Sequence, residues 1–180
     1  AITFDDALES FASIAAPVLL EAELPTTVYV VSNHVGRRAD WSGTGGDIPT
    51  FRVLDWRCLR ELAESGVELG AHSCTHPPLT TVSDRRLYEE VSESGARIAD
   101  HTGMRPRSFS YPYGAYDEPL LAALKNKGCR AGFTTEVRIA EIGSADPLIL
   151  PRIDTNDLPK RGDAAPNEWT MKVLKGDVVA

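Results

Sequence analysis

Asp5 and Asp6 stand side by side after a short apolar run, and His72 and His76 lie four positions apart much later in the chain. Two imidazoles and one carboxylate, with positions left open for water and substrate, are the ligand set of a hydrolytic metal site rather than a closed structural one. An amide is a poor electrophile and water a poor nucleophile. A divalent ion at such a site helps on both sides, polarising the carbonyl and bringing the pKa of its water from 15.7 toward about 7. Two adjacent carboxylates suit a division of labour, one on the metal and the other free to act as general base. The ligand set suits zinc and also admits cobalt, nickel, manganese or iron. Each half of the pattern alone has a plainer explanation, because adjacent aspartates commonly cap helices and histidines are commonly solvated or packed in a core.

The elements between these residues decide whether they can meet. Residues 1–4, 26–31, 67–71, 107–111, 129–134 and 148–153 read as strands, short and rich in β-branched or small apolar residues. Residues 7–21 read as a helix with a stripe of Leu8, Phe11, Ile14, Ala15, Val18 and Leu19, kinked at Pro17. A second helix, 56–65, is capped by Asp55, turns Leu59, Leu62 and Ala63 inward and stops at Gly66. Helices are also expected over 83–103, 117–127 and 167–174. Between the second strand and the second helix, 32–50 is a long polar loop holding His34, Asp40, Trp41, Gly43, Gly45 and Gly46. Strand and helix in alternation imply an α/β fold with a parallel sheet or barrel and helices outside. About six strands fall short of a regular eight-stranded barrel, so a distorted, incomplete one is expected. Asp5 and Asp6, His72 and the pair Pro112-Tyr113 each follow a strand, and in a βα barrel those positions share one rim.

Length and composition narrow the partners. With 180 residues, one domain over 1–180 is expected, large enough for a core. A net charge of −7 with scattered Lys and Arg argues against nucleic acid or an anionic membrane surface. No apolar run is long enough for a membrane span. Cys58, Cys74 and Cys129 are an odd set at irregular spacing, which favours free thiols. Any leader would have been removed, so the location stays open, with the odd cysteine count slightly favouring the cytoplasm.

Thr3-Phe4-Asp5-Asp6, then His72-Ser73-Cys74-Thr75-His76, then Phe109-Ser110-Tyr111-Pro112-Tyr113-Gly114 resemble, in order and separation, the first three motifs of the NodB-like polysaccharide deacetylase family, carbohydrate esterase family 4. The resemblance implies a distorted βα barrel and metal-dependent removal of an N-acetyl, or less often O-acetyl, group from a sugar. It implies Asp5 as base, Asp6, His72 and His76 as metal ligands, and the Tyr113 amide at the developing oxyanion. Tyr111 and Tyr113 are expected along the substrate. Cys74 falls between the ligands without being one.

The chain departs from that pattern twice. Ser110 stands where many members carry an arginine that orients the base, so another arginine does that job or none does, and Arg152, at the end of the last expected strand, is the candidate ahead of Arg107. No histidine follows His101, so the family's terminal Leu-x-His, whose imidazole protonates the leaving amine, has no counterpart. His34 is the candidate substitute, unless it is a plain loop histidine and water or a residue beyond this sequence protonates the nitrogen. Trp41 is expected to be either a buried anchor of the loop or a face offered to a pyranose ring. Asp154 and Asp157 match the fourth motif loosely and are expected to bind sugar or cap a turn. The reading is a deacetylase of amino sugars. Its rivals are a deformylase of a formamido sugar and a carbohydrate-binding domain that has lost turnover.

Overall fold

The computed structural model describes residues 2–41, 51–140, 143 and 145–154. Within them β1 (Ile2–Phe4), β2 (Thr26–Val30), β3 (Glu68–Ala71), β4 (Ser108–Ser110), β5 (Ala131–Val137) and β6 (Leu150–Arg152) form one parallel sheet whose spatial order is the chain order. Parallel neighbours need a crossover between them, and α1 (Ala16–Glu21), α2 (Trp56–Glu64), α3 (Asp84–Thr102) and α4 (Glu118–Asn126) run in those crossovers. Because every strand adds to the same side of a twisted sheet, the sheet curls into a half-barrel with helices outside, as expected. Between β1 and β6 no ladder forms among the described residues. Arg152 of β6 spans the seam instead, reaching Thr3 Oγ1 at 3.3 Å and the Asp5 carboxylate beyond it.

Strand residues alternate between the two faces of this sheet. Val28, Val30, Leu69, Ala71 and Phe109 join the apolar core under the helices, with Leu59, Val91, Ile98 and Leu120. The intervening residues, among them Tyr29, His72 and Ser110, face the concave side, where Tyr29 contacts Phe133 and His72. Gly70 is needed there, since a Cβ would overlap the Tyr29 ring.

The helix signals hold in detail. Asp55 accepts from Cys58 N at 2.8 Å and Asp117 from Leu120 N at 3.0 Å, satisfying first-turn amides. Gly103 closes α3 at φ 74°, the left-handed stop that a residue without Cβ takes freely.

The first helix differs from its expected form. A π-helical turn over Phe11–Ala15, closed by Ala16 N to Phe11 O, precedes α1, and Pro17 lies in the first turn of α1 rather than kinking a longer helix. Pro17 has no N–H to continue the ladder, and the wide turn ahead of it absorbs that loss. The five-residue step moves burial to Phe11 and Ala16, leaving Ile14 and Val18 exposed. In the loop after β2, Arg38 bridges antiparallel to Arg52 in the segment before α2, and Leu8, from the connection after β1, bridges Val53 of that same segment. The loop glycines Gly43, Gly45 and Gly46, Asp157 and the expected helix over 167–174 lie outside the described residues. Among the described residues no helix is long and apolar enough to cross a membrane, and the three cysteines are free thiols.

Candidate metal centre and active site

At the end of β1 the chain turns sharply, with Asp6 at φ 69° and Ala7 at φ 50°, and both aspartates are presented at the C-terminal rim of the sheet. His72 follows β3 directly and is 2% exposed. Its Nδ1 donates to the Ser110 carbonyl at 2.7 Å, which leaves the Nε2 lone pair facing the site. That nitrogen lies 3.5 Å from Asp6 Oδ1 and 3.1 Å from His76 Nε2, and His76 Nε2 lies 3.7 Å from Asp6 Oδ1.

These three atoms fit a divalent cation. A proton shared between the imidazoles would satisfy those two nitrogens and still leave Asp6 Oδ1, which is buried and without a hydrogen-bond partner among the described residues. One cation satisfies all three. Tetrahedral zinc with ligands about 2.0–2.1 Å away has edges of about 3.3 Å, in line with the separations above. Protonation settings agree: burial, followed by the field of His72, takes His76 down to about 3, so it stays neutral with its lone pair available. Burial, partly relieved by His72 and reinforced by Asp5, raises the Asp6 carboxyl, an anion short of a positive partner.

Asp5 is set in the opposite direction. Arg152 grips it in a bidentate pair, Nη1 to Oδ1 at 2.8 Å and Nη2 to Oδ2 at 2.7 Å, and the Ser110 hydroxyl donates to Oδ2 at 3.1 Å. Arg152 is held by Nε donation to Thr134 O at 3.1 Å. Burial alone would raise the Asp5 carboxyl, but the Arg152 hydrogen bonds, the charges of His72 and Arg152, and the Ser110 hydroxyl outweigh it and hold the pKa below the ordinary carboxylate value. Arg107 stands just before β4, at the opposite rim, and cannot serve here.

Around this centre the other expected residues divide. Tyr113, in a left-handed conformation (φ 60°, ψ 10°) after Pro112, packs its half-exposed ring edge-on to His76 at 4.8 Å. Trp41 contacts His76 at 5.1 Å and His34 at 4.8 Å. His34 is thus a neighbour of Trp41 rather than of the imidazole pair, and its Nδ1 is engaged with Arg38 O and Asp40 Oδ1, each at 3.2 Å. Asp154 lies beside Arg152 on an open recess of about 340 Å³ that Thr3, Asp5 and Thr135 also line. Tyr111 requires correction. It is 1% exposed, donates its hydroxyl to Leu148 O at 2.6 Å and packs on Phe109. Pleating puts Phe109 and Tyr111 on the helix side and Ser110 on the site side, so Tyr111 is core and does not line the substrate.

Two residues that the motif reading missed hold the 73–75 backbone from outside. Glu90 and Ser94 of α3 are buried and bond to that loop. Their signal was available: the buried stripe of α3 runs Leu87, Glu90, Val91, Ser94, Ile98, so a carboxylate and a hydroxyl sit on a face otherwise apolar.

A family model described as polysaccharide deacetylase matches residues 1–132. The chain belongs to the polysaccharide deacetylase family. In this family member the matched stretch carries Asp5, Asp6, His72, His76 and Tyr113, while Arg152 lies beyond it. Among characterised relatives, the poly-beta-1,6-N-acetyl-D-glucosamine N-deacetylase of Staphylococcus aureus is 24% identical over 167 residues, which is 87% of this chain and 54% of that protein. The chain therefore spans about half the length of the curated relatives it matches. Two solved structures share the fold. Streptococcus pyogenes deacetylase PplD in complex with acetate superposes with a TM-score of 0.73 at 22% identity, covering 96% of this chain and 67% of that one. IcaB from Ammonifex degensii gives 0.72 at 26% identity, covering 86% and 67%.

Proposed function

We propose that this chain hydrolyses N-acetyl groups on amino sugars of a polysaccharide or glycan precursor, with Asp6, His72 and His76 holding a divalent cation, zinc first among candidates, and Asp5 as the base. The observation that carries the reading is the convergence of two imidazole nitrogens and an orphaned carboxylate oxygen beside an arginine-clamped carboxylate. When bound, the ion supplies Lewis-acid polarisation of the acetyl carbonyl and acidifies water. Asp5, kept ionised by Arg152 and Ser110, takes the proton from the attacking water. Tyr113, turned by its left-handed backbone, offers its main-chain amide to the oxygen on which charge develops. As the carbon–nitrogen bond breaks, the amine needs a proton. Asp5 has just gained one beside the reacting carbon, whereas His34 is engaged behind Trp41, so Asp5 is the better-placed donor. Trp41 and Asp154 are the residues for sugar contact, the first through its ring face and the second at the recess by the seam.

The staphylococcal relative's name makes β-1,6-linked N-acetylglucosamine oligomers the first substrate to try. The test is acid release from such oligomers with the metal-loaded chain against the Asp5→Asn variant. Acetate released only by the wild type supports the proposal. Formate released solely from N-formyl sugars identifies a deformylase. Oligomer binding with neither acid released identifies a binding domain and refutes turnover.

A further inference from the structure

The loop that links His72 to His76 holds two non-glycine residues in the left-handed region, Ser73 at φ 62° and His76 at φ 59°. L-residues resist that conformation, so something must hold them in it. Ser73 supplies part of the restraint, its Oγ accepting from His76 N at 2.9 Å and its carbonyl accepting from Ser94 Oγ at 3.0 Å. The larger restraint comes from one carboxylate on α3. Glu90, 4% exposed, accepts on Oε2 from Cys74 N at 2.8 Å and Thr75 N at 2.9 Å. Its Oε1 accepts from Thr75 Oγ1 at 2.5 Å and Arg86 Nη2 at 3.3 Å.

Every neighbour of that carboxylate is a donor, and Arg86 offsets its buried charge. Successive backbone amides converging on one anion make a preorganised nest. We propose that Glu90 is a positioning residue that fixes the 73–75 loop in its ligand-presenting shape before any ion arrives. His72 and His76 then need no reorganisation to bind. The proposal rests on reading Asp6, His72 and His76 as the metal site.

Glu90→Gln is the discriminating change, because it keeps size and polarity while turning one oxygen into a donor. Turned toward the loop its NH₂ faces the Cys74 and Thr75 N–H groups, and turned the other way it faces Arg86 and the negative charge that offset Arg86 is gone. The measurement is Co²⁺ and Zn²⁺ affinity by competition with a chelating dye, with the Co²⁺ absorption band as a second readout and the metal-free melting temperature as a fold check. Glu90→Gln should weaken metal binding by about 10–100-fold and alter the Co²⁺ band. Glu93→Gln, whose carboxylate pairs with Arg97 on the outer face of α3, should change neither. A folded Glu90→Gln chain with wild-type affinity and band overturns the proposal. If that variant does not fold, amide exchange on the metal-free wild type decides. Cys74 and Thr75 amides protected as well as the middle of α3 support preorganisation, and exchange at open-chain rates overturns it. A wild type that takes up no metal refutes the site reading itself, a result distinct from equal binding by both chains.

Discussion

Replacing Arg152 by Gln isolates the electrostatic setting of the base. The substitution removes the guanidinium that donates to both Asp5 oxygens, at 2.8 and 2.7 Å, while leaving a polar group near Thr134 O. Burial of Asp5 remains, and burial acts to raise its pKa. An arginine beside an aspartate lowers the pKa by about one to three units, so the acidic limb of kcat/KM should move up by about one to three pH units in the variant. Below the new limb the rate should fall about tenfold per pH unit, with activity near pH 8 much less affected. The assay is acetate release from an N-acetylglucosamine oligomer between pH 4 and pH 9 at saturating metal. Stability gives an independent check. A carboxylate whose folded pKa is depressed stabilises the fold above its unfolded value of about 3.9 and loses that contribution as pH falls through the folded value. Wild type and variant should therefore differ in metal-free Tm at pH 6 and converge at the lowest pH at which both fold. An acidic limb unchanged in a folded, metal-loaded Arg152→Gln chain would refute the clamp as the source of Asp5's ionisation.

Other expectations follow from the same geometry. His76→Ala should lose metal and activity together, since it removes one of three protein ligands, and stoichiometric metal at unchanged affinity would exclude His76 from the site. Asp5→Asn should keep the metal and lose about 10²–10⁴-fold in turnover, whereas Asp6→Asn should lose metal affinity and regain part of its rate with excess metal. The reverse pattern, measured by metal content and acetate release, would exchange the two roles. Trp41→Ala should raise KM for oligomers with the fold retained, and a large drop in Tm at unchanged KM would show that Trp41 serves as packing for His34 and His76 alone.

Much of the architecture was legible because local signals agreed with one another. Asp55 and Asp117 cap where they stand in the chain, and the short β-branched runs become strands in sequence order. The rim positions of Asp5, Asp6 and His72 followed from strand ends alone. What escaped was information that local patterns do not carry. The π-helical turn depends on how Phe11 and Ala16 meet the core, and it reversed the expected inward positions of Ile14 and Val18. The place of Tyr111 in a motif points to the substrate, whereas its parity with Phe109 puts it in the core. Glu90 was overlooked because its donors lie 15 and 16 positions away, although its place on an apolar helix face marked it. Arg152 was legible as the candidate partner of Asp5 from its place at a strand end, while the contact itself depends on the curvature that brings β6 round to β1.

The seam between β1 and β6 has a consequence for synthesis. Asp5 and Arg152 are 147 positions apart, so the ribosome makes the carboxylate long before it makes the cation that keeps it ionised. Closing so long a loop adds little entropy beyond a loop of half the length, about 0.6 kcal/mol, but it can happen only once β6 has emerged. Until then a nascent chain can bring Asp6, His72 and His76 together while Asp5 lacks the guanidinium that clamps it. The clamp on Asp5 thus forms only as β6 docks, and a chain cut short before Arg152 is expected to bind metal while any acetate release it shows has a raised acidic limb.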